Sequence, residues 1–168
     1  MIKTVLSQLF IKQWTGYSLL LGVLALIGAC TIRLLWLYPL SFLLITNFFD
    51  MLGYGKRCDV IAKYSLELYQ TILPYYRIAQ KLTNALILLV IWFITENWLV
   101  ALACFASNFG GMQDVLYYFF GRYNFNQSYT WLRWTPLGIL IGDLNKWEFV
   151  VQGIVWILLI TISLEVLC

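Results

Sequence analysis

Charged side chains are absent from long stretches of this chain and crowd into the gaps between them. The apolar runs over 14–53, 76–120 and 147–167 hold few charges, and a shorter one lies at 131–142. Hydrophobic residues make up 62% of the 168 and charged residues only 11%, more apolar area than a water-soluble domain of this size can hide. The pattern predicts an all-α, polytopic helical membrane protein forming a single integral membrane domain over 1–168.

A spanning helix needs about 20 apolar residues. The first run is too long for one crossing, and Arg33 falls near its middle, where a charge costs little only at an interfacial turn. Two helices are therefore expected, over 14–32 and 34–52, with Pro39 tolerated in the opening turns of the second. Gly53 and Gly55 break the pattern, and Ile61, Tyr64, Leu68 and Ile72 then recur at helical spacing. That spacing predicts an amphipathic helix over 57–73 lying along the interface, ended or kinked by Pro74.

The run from Tyr76 to Phe120 again suits two crossings, over 76–95 and 98–120, divided by Thr95-Glu96-Asn97 with Trp92 and Trp98 on either side. The competing division makes 84–106 one crossing and leaves Glu96 and Asn97 in mid-bilayer. A last helix is expected over 147–167, giving about five transmembrane helices. The segment 131–142 is too short to span and is a candidate re-entrant element, which would need its backbone buried against protein.

Five helices and the positive-inside rule fix an orientation. With the N-terminus cytoplasmic, Lys3, Lys12, Lys56, Arg57, Lys63, Arg77, Lys81, Arg122, Arg133 and Lys146 share the cytoplasmic side, leaving Arg33 alone opposite with the C-terminus.

The composition also limits the chemistry. With no histidine, haem ligation by histidine, zinc-protease motifs and imidazole acid–base work are excluded, and no zinc or haem is expected. Cys30, Cys58, Cys104 and Cys168 form no CxxC pair, and Cys104 reads as a small buried residue. Ile27-Gly28-Ala29-Cys30 has the look of a lipobox, but the apolar run resumes behind it, which favours a retained helix. A net charge of +3 offers nothing to nucleic acid.

The small residues Gly22, Ala25, Gly28 and Ala29 form a close-packing face, read here as packing within the chain rather than a homo-oligomer interface. Polar residues gather towards the cytoplasmic ends of the predicted helices. In the fourth, Ser107, Gly111, Asp114 and Tyr118 share one face, with Asn108 beside it. Asn47 and Asp50 lie at similar depth in the second, and Glu148 and Gln152 in the fifth.

Packed together, these residues would make a polar cup under the cytoplasmic leaflet, with Arg133 and Arg122 within reach. Such a cup suits a membrane lipid or isoprenoid-like amphiphile, bound or modified there. Asp114 and Glu148 are the candidate catalytic acid and base; Asn47, Asp50, Ser107, Asn108, Tyr118, Arg133 and Gln152 are the candidate ligand-binding residues. Carboxylates of this kind also suit Mg²⁺ against a lipid phosphate, although no resident metal is predicted. A non-catalytic subunit with a membrane-protein partner is the alternative reading, and a small solute transporter the third.

Overall fold

The computed structural model of the chain describes residues 14–58, 61 and 64–168, without the side chains of 55–58. Of the basic residues used for the orientation, Lys3, Lys12, Lys63 and the side chains of Lys56 and Arg57 lie outside that description, as do the Cys58 side chain and positions 59, 60, 62 and 63 of the predicted interfacial helix.

The chain is all-α, 83% helical. Its elements are α1 (Thr15–Ile32), α2 (Leu37–Asp50), a π-helical turn (Met51–Cys58), α3 (Leu66–Thr95), α4 (Trp98–Ser107), a 3₁₀ turn (Asn108–Gly110) and α5 (Met112–Gly121). Strand β1 (Ser128–Tyr129), a 3₁₀ turn (Thr130–Leu132), α6 (Pro136–Ile141), strand β2 (Leu144–Asn145) and α7 (Lys146–Leu167) complete the order. The strands pair antiparallel, Ser128 opposite Asn145 and Tyr129 opposite Leu144, clipping the segment between them.

Three helices, α1, α3 and α7, are long and apolar enough to cross a membrane, and α4 and α5 together make a fourth candidate, bent by 68°. Helix α2, with 14 residues, is about 21 Å long and falls short by itself, so the described helices give three to four candidate spans where five are expected. Most of the area on the three long helices faces outward: 28%, 6% and 17% of their apolar windows is buried. An exterior of this kind suits a multi-pass membrane protein, because lipid rather than water can cover it.

Two expected segments take a different form. The helix over 57–73 and the helix over 76–95 are not separate where the chain is described: α3 runs unbroken from Leu66 through Pro74 to Thr95. Proline removes a donor for the carbonyl of Gln70, and Gln70 is exposed, so that carbonyl has open space in place of its helical partner. Segment 131–142 folds as a turn and the six-residue α6, with Leu132, Thr135 and Gly138 buried and Ile139, Leu140 and Ile141 exposed.

Charged residues in the left-handed backbone conformation end three helices: Arg33 after α1, Glu96 after α3 and Arg122 after α5. The division at Thr95-Glu96-Asn97 is thus built into the backbone, since Asn97 caps α4 by accepting from the Leu99 N–H at 2.9 Å. Trp14 N–H donates to the Phe120 carbonyl at 2.8 Å, placing the start of α1 beside the end of α5. At the opposite end, Trp36 N–H donates to Glu165 at 3.1 Å, and Asn97 Nδ2 to Cys168 Sγ at 3.4 Å.

Helices α1 and α2 form the closest pair through small and hydroxyl residues. Ser18 Oγ donates to the Leu44 carbonyl at 2.7 Å, Ser41 Oγ to the Gly22 carbonyl at 2.9 Å, and Asn47 Nδ2 to Ser18 Oγ at 3.0 Å. All of these groups are buried, and bonds of this type between apolar helices contribute about 0.6 kcal/mol each on average. Ala29, Tyr38, Phe42, Ile91, Val100, Cys104 and Leu164 then join α1, α2, α3, α4 and α7 in one apolar core.

A Cβ on Gly22 would stand 2.8 Å from Ile45 Cγ1 and 3.1 Å from the Ile45 nitrogen, so this position sets the spacing of α1 and α2. Gly22→Leu is expected to lower stability in mild detergent by about 1–3 kcal/mol through overpacking; an unchanged unfolding midpoint would show that the pair does not need close approach.

Candidate functional site

The sequence turns most sharply at Gly110-Gly111, and the site begins there. A Cβ on Gly110 would fall 2.3 Å from the Trp156 ring, so only glycine lets α7 lie against this turn. Gly111 has φ +77°, a left-handed conformation that glycine adopts without penalty. Gln152 locks the bend from α7: its Nε2 donates to the Gly110 carbonyl at 3.0 Å. Its Oε1 accepts from Thr135 Oγ1 at 3.1 Å and from the Leu137 N–H at 2.7 Å. Trp156 Nε1 donates to the Ala106 carbonyl at 2.9 Å. One buried amide therefore ties α4–α5, α6 and α7 together.

The bend aims α5 across the end of the bundle. Asp114 lies in its first turn, where the helix dipole favours a carboxylate, and Tyr117 and Tyr118 follow on the same face. They line a cavity of about 870 Å³. Asp50, Tyr54 and Arg77 enclose it from α2, the π-helical turn and α3. Tyr123, Asn124 and Asn126 close it from the loop after α5, and Trp131 and Trp134 from the clipped segment.

Asp50 is held firmly. Gln80 Nε2 donates to its Oδ1 at 2.7 Å, and the Tyr76 hydroxyl donates to the same oxygen. Gly53 makes room for this, since a Cβ there would meet the Tyr76 ring at 2.3 Å. Arg77 Nη1 donates to Gln80 Oε1 at 2.9 Å, and the guanidinium lies 5.5 Å from the Tyr54 ring centre and 5.9 Å from that of Tyr76.

The aromatic wall is braced as well. Tyr117 stacks on Tyr123 at 5.3 Å and Tyr118 on Phe125 at 5.2 Å, while Asn126 Nδ2 donates to the Tyr118 hydroxyl at 2.9 Å. No hydrogen bond or ion pair joins the Asp114 carboxylate to another described residue.

Of the residues expected to converge, Asp50, Asp114 and Tyr118 line the cavity together. Asn47 turns to α1 and bonds Ser18. Ser107 donates to the Cys104 carbonyl at 2.6 Å, and Asn108 Oδ1 is buried without a partner among the described residues. Glu148 completes a capping box at the start of α7: its Oε2 accepts from the Asn145 N–H at 2.8 Å while Asn145 Oδ1 accepts from the Glu148 N–H at 3.1 Å. It does not line the cavity, where the second carboxylate beside Asp114 among the described residues is Asp50.

Arg133 pairs with exposed Asp143 at 2.5 Å, and that bond holds the Asp143 carboxyl below the usual carboxylate range. Gln152 supports the bend from behind. Arg77, Tyr76 and Gln80 went unread in the sequence as site residues. Their i, i+1, i+4 spacing puts Tyr76 and Gln80 on one helical face, but nothing in the sequence says that this face meets Asp50. Among the described residues no three of Asp, Glu and Cys gather as a metal site. No family model, curated protein or solved structure matches this chain.

Gln152→Leu strands the Gly110 carbonyl and the Leu137 N–H, and is expected to cost about 1–3 kcal/mol for each buried group left unsatisfied. Arg133→Ala, at an exposed pair, is expected to leave the midpoint where it is. Equal behaviour of the two variants in thermal unfolding would remove Gln152 as the lock of the bend.

Proposed function

We propose that this chain is a five-pass membrane protein that takes the head of a lipid-like amphiphile into the cavity between α2, α3 and α5. In this reading α1, α2, α3, the bent α4–α5 and α7 each cross. Helix α2 is completed by the π-helical turn behind it, since Leu37–Cys58 would be about 33 Å long. The N-terminus then faces the cytoplasm and the C-terminus the other side. Arg77, Lys81, Arg122, Arg133 and Lys146 belong to the cavity's end of the bundle, and Arg33 to the other, as the positive-inside rule asks.

The observation that carries the reading is the Asp114 carboxylate, without a hydrogen bond or ion pair to another described residue and opening into a cavity of about 870 Å³. That volume lies in the range of about 300–1,000 Å³ usual for small-molecule sites. The mixture of carboxylates, a guanidinium and aromatic rings suits a polar head, and the exposed apolar helices beside it suit a tail. Asp50 and Asp114 are also the two carboxylates in place for proton transfer to a bound head group.

Two measurements check this. In a background with its cysteines replaced by serine, Arg33→Cys and Arg133→Cys should label from opposite sides of a sealed membrane; labelling from one side would break the five-pass arrangement. Native mass spectrometry of the protein extracted in mild detergent should show a small-molecule adduct, reduced at least tenfold in Asp114→Asn with helix content unchanged. An adduct that survives the substitution would take Asp114 out of the site.

A further inference from the structure

We infer that the head group this cavity accepts carries an ammonium. The inference rests on the amphiphile reading above and names the chemistry of the head. Among the described residues two carboxylates and one guanidinium line the space, an excess of negative charge when all three are ionised, which sets it against a head group that is only anionic. The carboxylates are not equivalent. Asp50 already accepts from Tyr76 and Gln80, whereas Asp114 accepts from no described residue. A cation entering the cavity finds its open acceptor at Asp114.

The walls favour an organic cation over a metal ion. Trp131 and Trp134 add two indole rings to the lining. Ring faces attract ammonium groups, tryptophan most strongly, and cages of such rings are a recurrent solution for quaternary ammonium. A hard cation asks for six or more oxygen ligands, and the described residues supply no third acidic group.

Arg77 fits the same ligand. It lies over Tyr54 and Tyr76 and is tethered to Gln80, so it is fixed as a positive charge on one wall. A phosphate next to an ammonium, as in a zwitterionic phospholipid, would meet Arg77 while the ammonium meets Asp114.

The full-length protein in mild detergent is offered phosphatidylcholine and phosphatidylglycerol of identical acyl chains, and occupancy is read by native mass spectrometry. Choline chloride alone is added in a parallel thermal-unfolding series. The expected result is at least tenfold higher occupancy by phosphatidylcholine in the unaltered protein. Asp114→Asn should bring the two lipids to parity, and Trp134→Leu, at a half-exposed ring, should weaken phosphatidylcholine alone.

Equal occupancy by both lipids in the unaltered protein overturns the ammonium and leaves the amphiphile reading standing. Stabilisation by choline with neither lipid retained keeps the ammonium and ends the amphiphile reading. Absence of all three signals ends both. The lipid ratio in the unaltered protein decides without a variant, so a substitution that fails to fold does not rescue the idea.

Discussion

The break at Gly110-Gly111 governs where the polar residues of this protein end up. A straight helix over 98–121 would carry Asp114, Tyr117 and Tyr118 along the axis of α4; the 68° bend swings them across the mouth of α2 and α3 instead. Three interactions hold that bend, and each is needed for a different reason. Glycine at 110 gives the Trp156 ring its place, the left-handed backbone at Gly111 restarts the helix, and the Gln152 amide satisfies the Gly110 carbonyl at the break while tying it to α6. Helix breaks expose backbone polar groups, and between apolar helices no water is at hand to take them. Gln152 does what water would do at a surface.

The rest of the bundle is divided between close approach and filling. On one side α1 and α2 touch through Gly22, Ser18 and Ser41, with side chains small enough to bring backbone carbonyls within reach of hydroxyls. Towards the cavity, Leu43, Leu44, Met51, Leu116 and Phe120 fill the space between α2 and α5 with bulk. A third cluster, Val115, Tyr129, Leu132, Leu144 and Phe149, seats the clipped segment on α5 and α7. The cavity lies beyond the second and third of these clusters, so its walls are supported from behind by packed apolar side chains.

Much of this was legible in the residues. Helical class and apolar runs follow from charge spacing, and α1 and α7 fall within a residue or so of the expected ranges because a tryptophan, an arginine or a capping asparagine marks their ends. Asp50 and Asp114 could be matched by depth alone, since both lie towards the cytoplasmic ends of the expected helices over 34–52 and 98–120. Rotation about the axis was the missing quantity. Asn47 shares its depth with Asp50 but faces α1, and Gln152 shares its depth with Asp114 but faces the bend. Glu148 was legible in another way: Asn145-Lys146-Trp147-Glu148 has capping-box spacing, a local signal that accounts for this glutamate without a ligand. Pro74 misleads as a stop because its cost depends on whether the freed carbonyl is exposed, which a sequence does not display.

Arg33, Glu96 and Arg122 end their helices in the left-handed conformation, and all three carry charge. Asparagine or glycine would adopt that backbone more readily. What a charged residue adds, in a bilayer, is a fixed height: it resists being drawn into hydrocarbon, so the helix behind it cannot slide inward. Helix α1, 18 residues long and about 27 Å, runs between Trp14 and Arg33 as between two stops. In the five-pass arrangement proposed above, the bundle would act as a gauge of membrane thickness. So placed, it would match a hydrocarbon layer near 27–30 Å, and a markedly thicker membrane would have to thin around it.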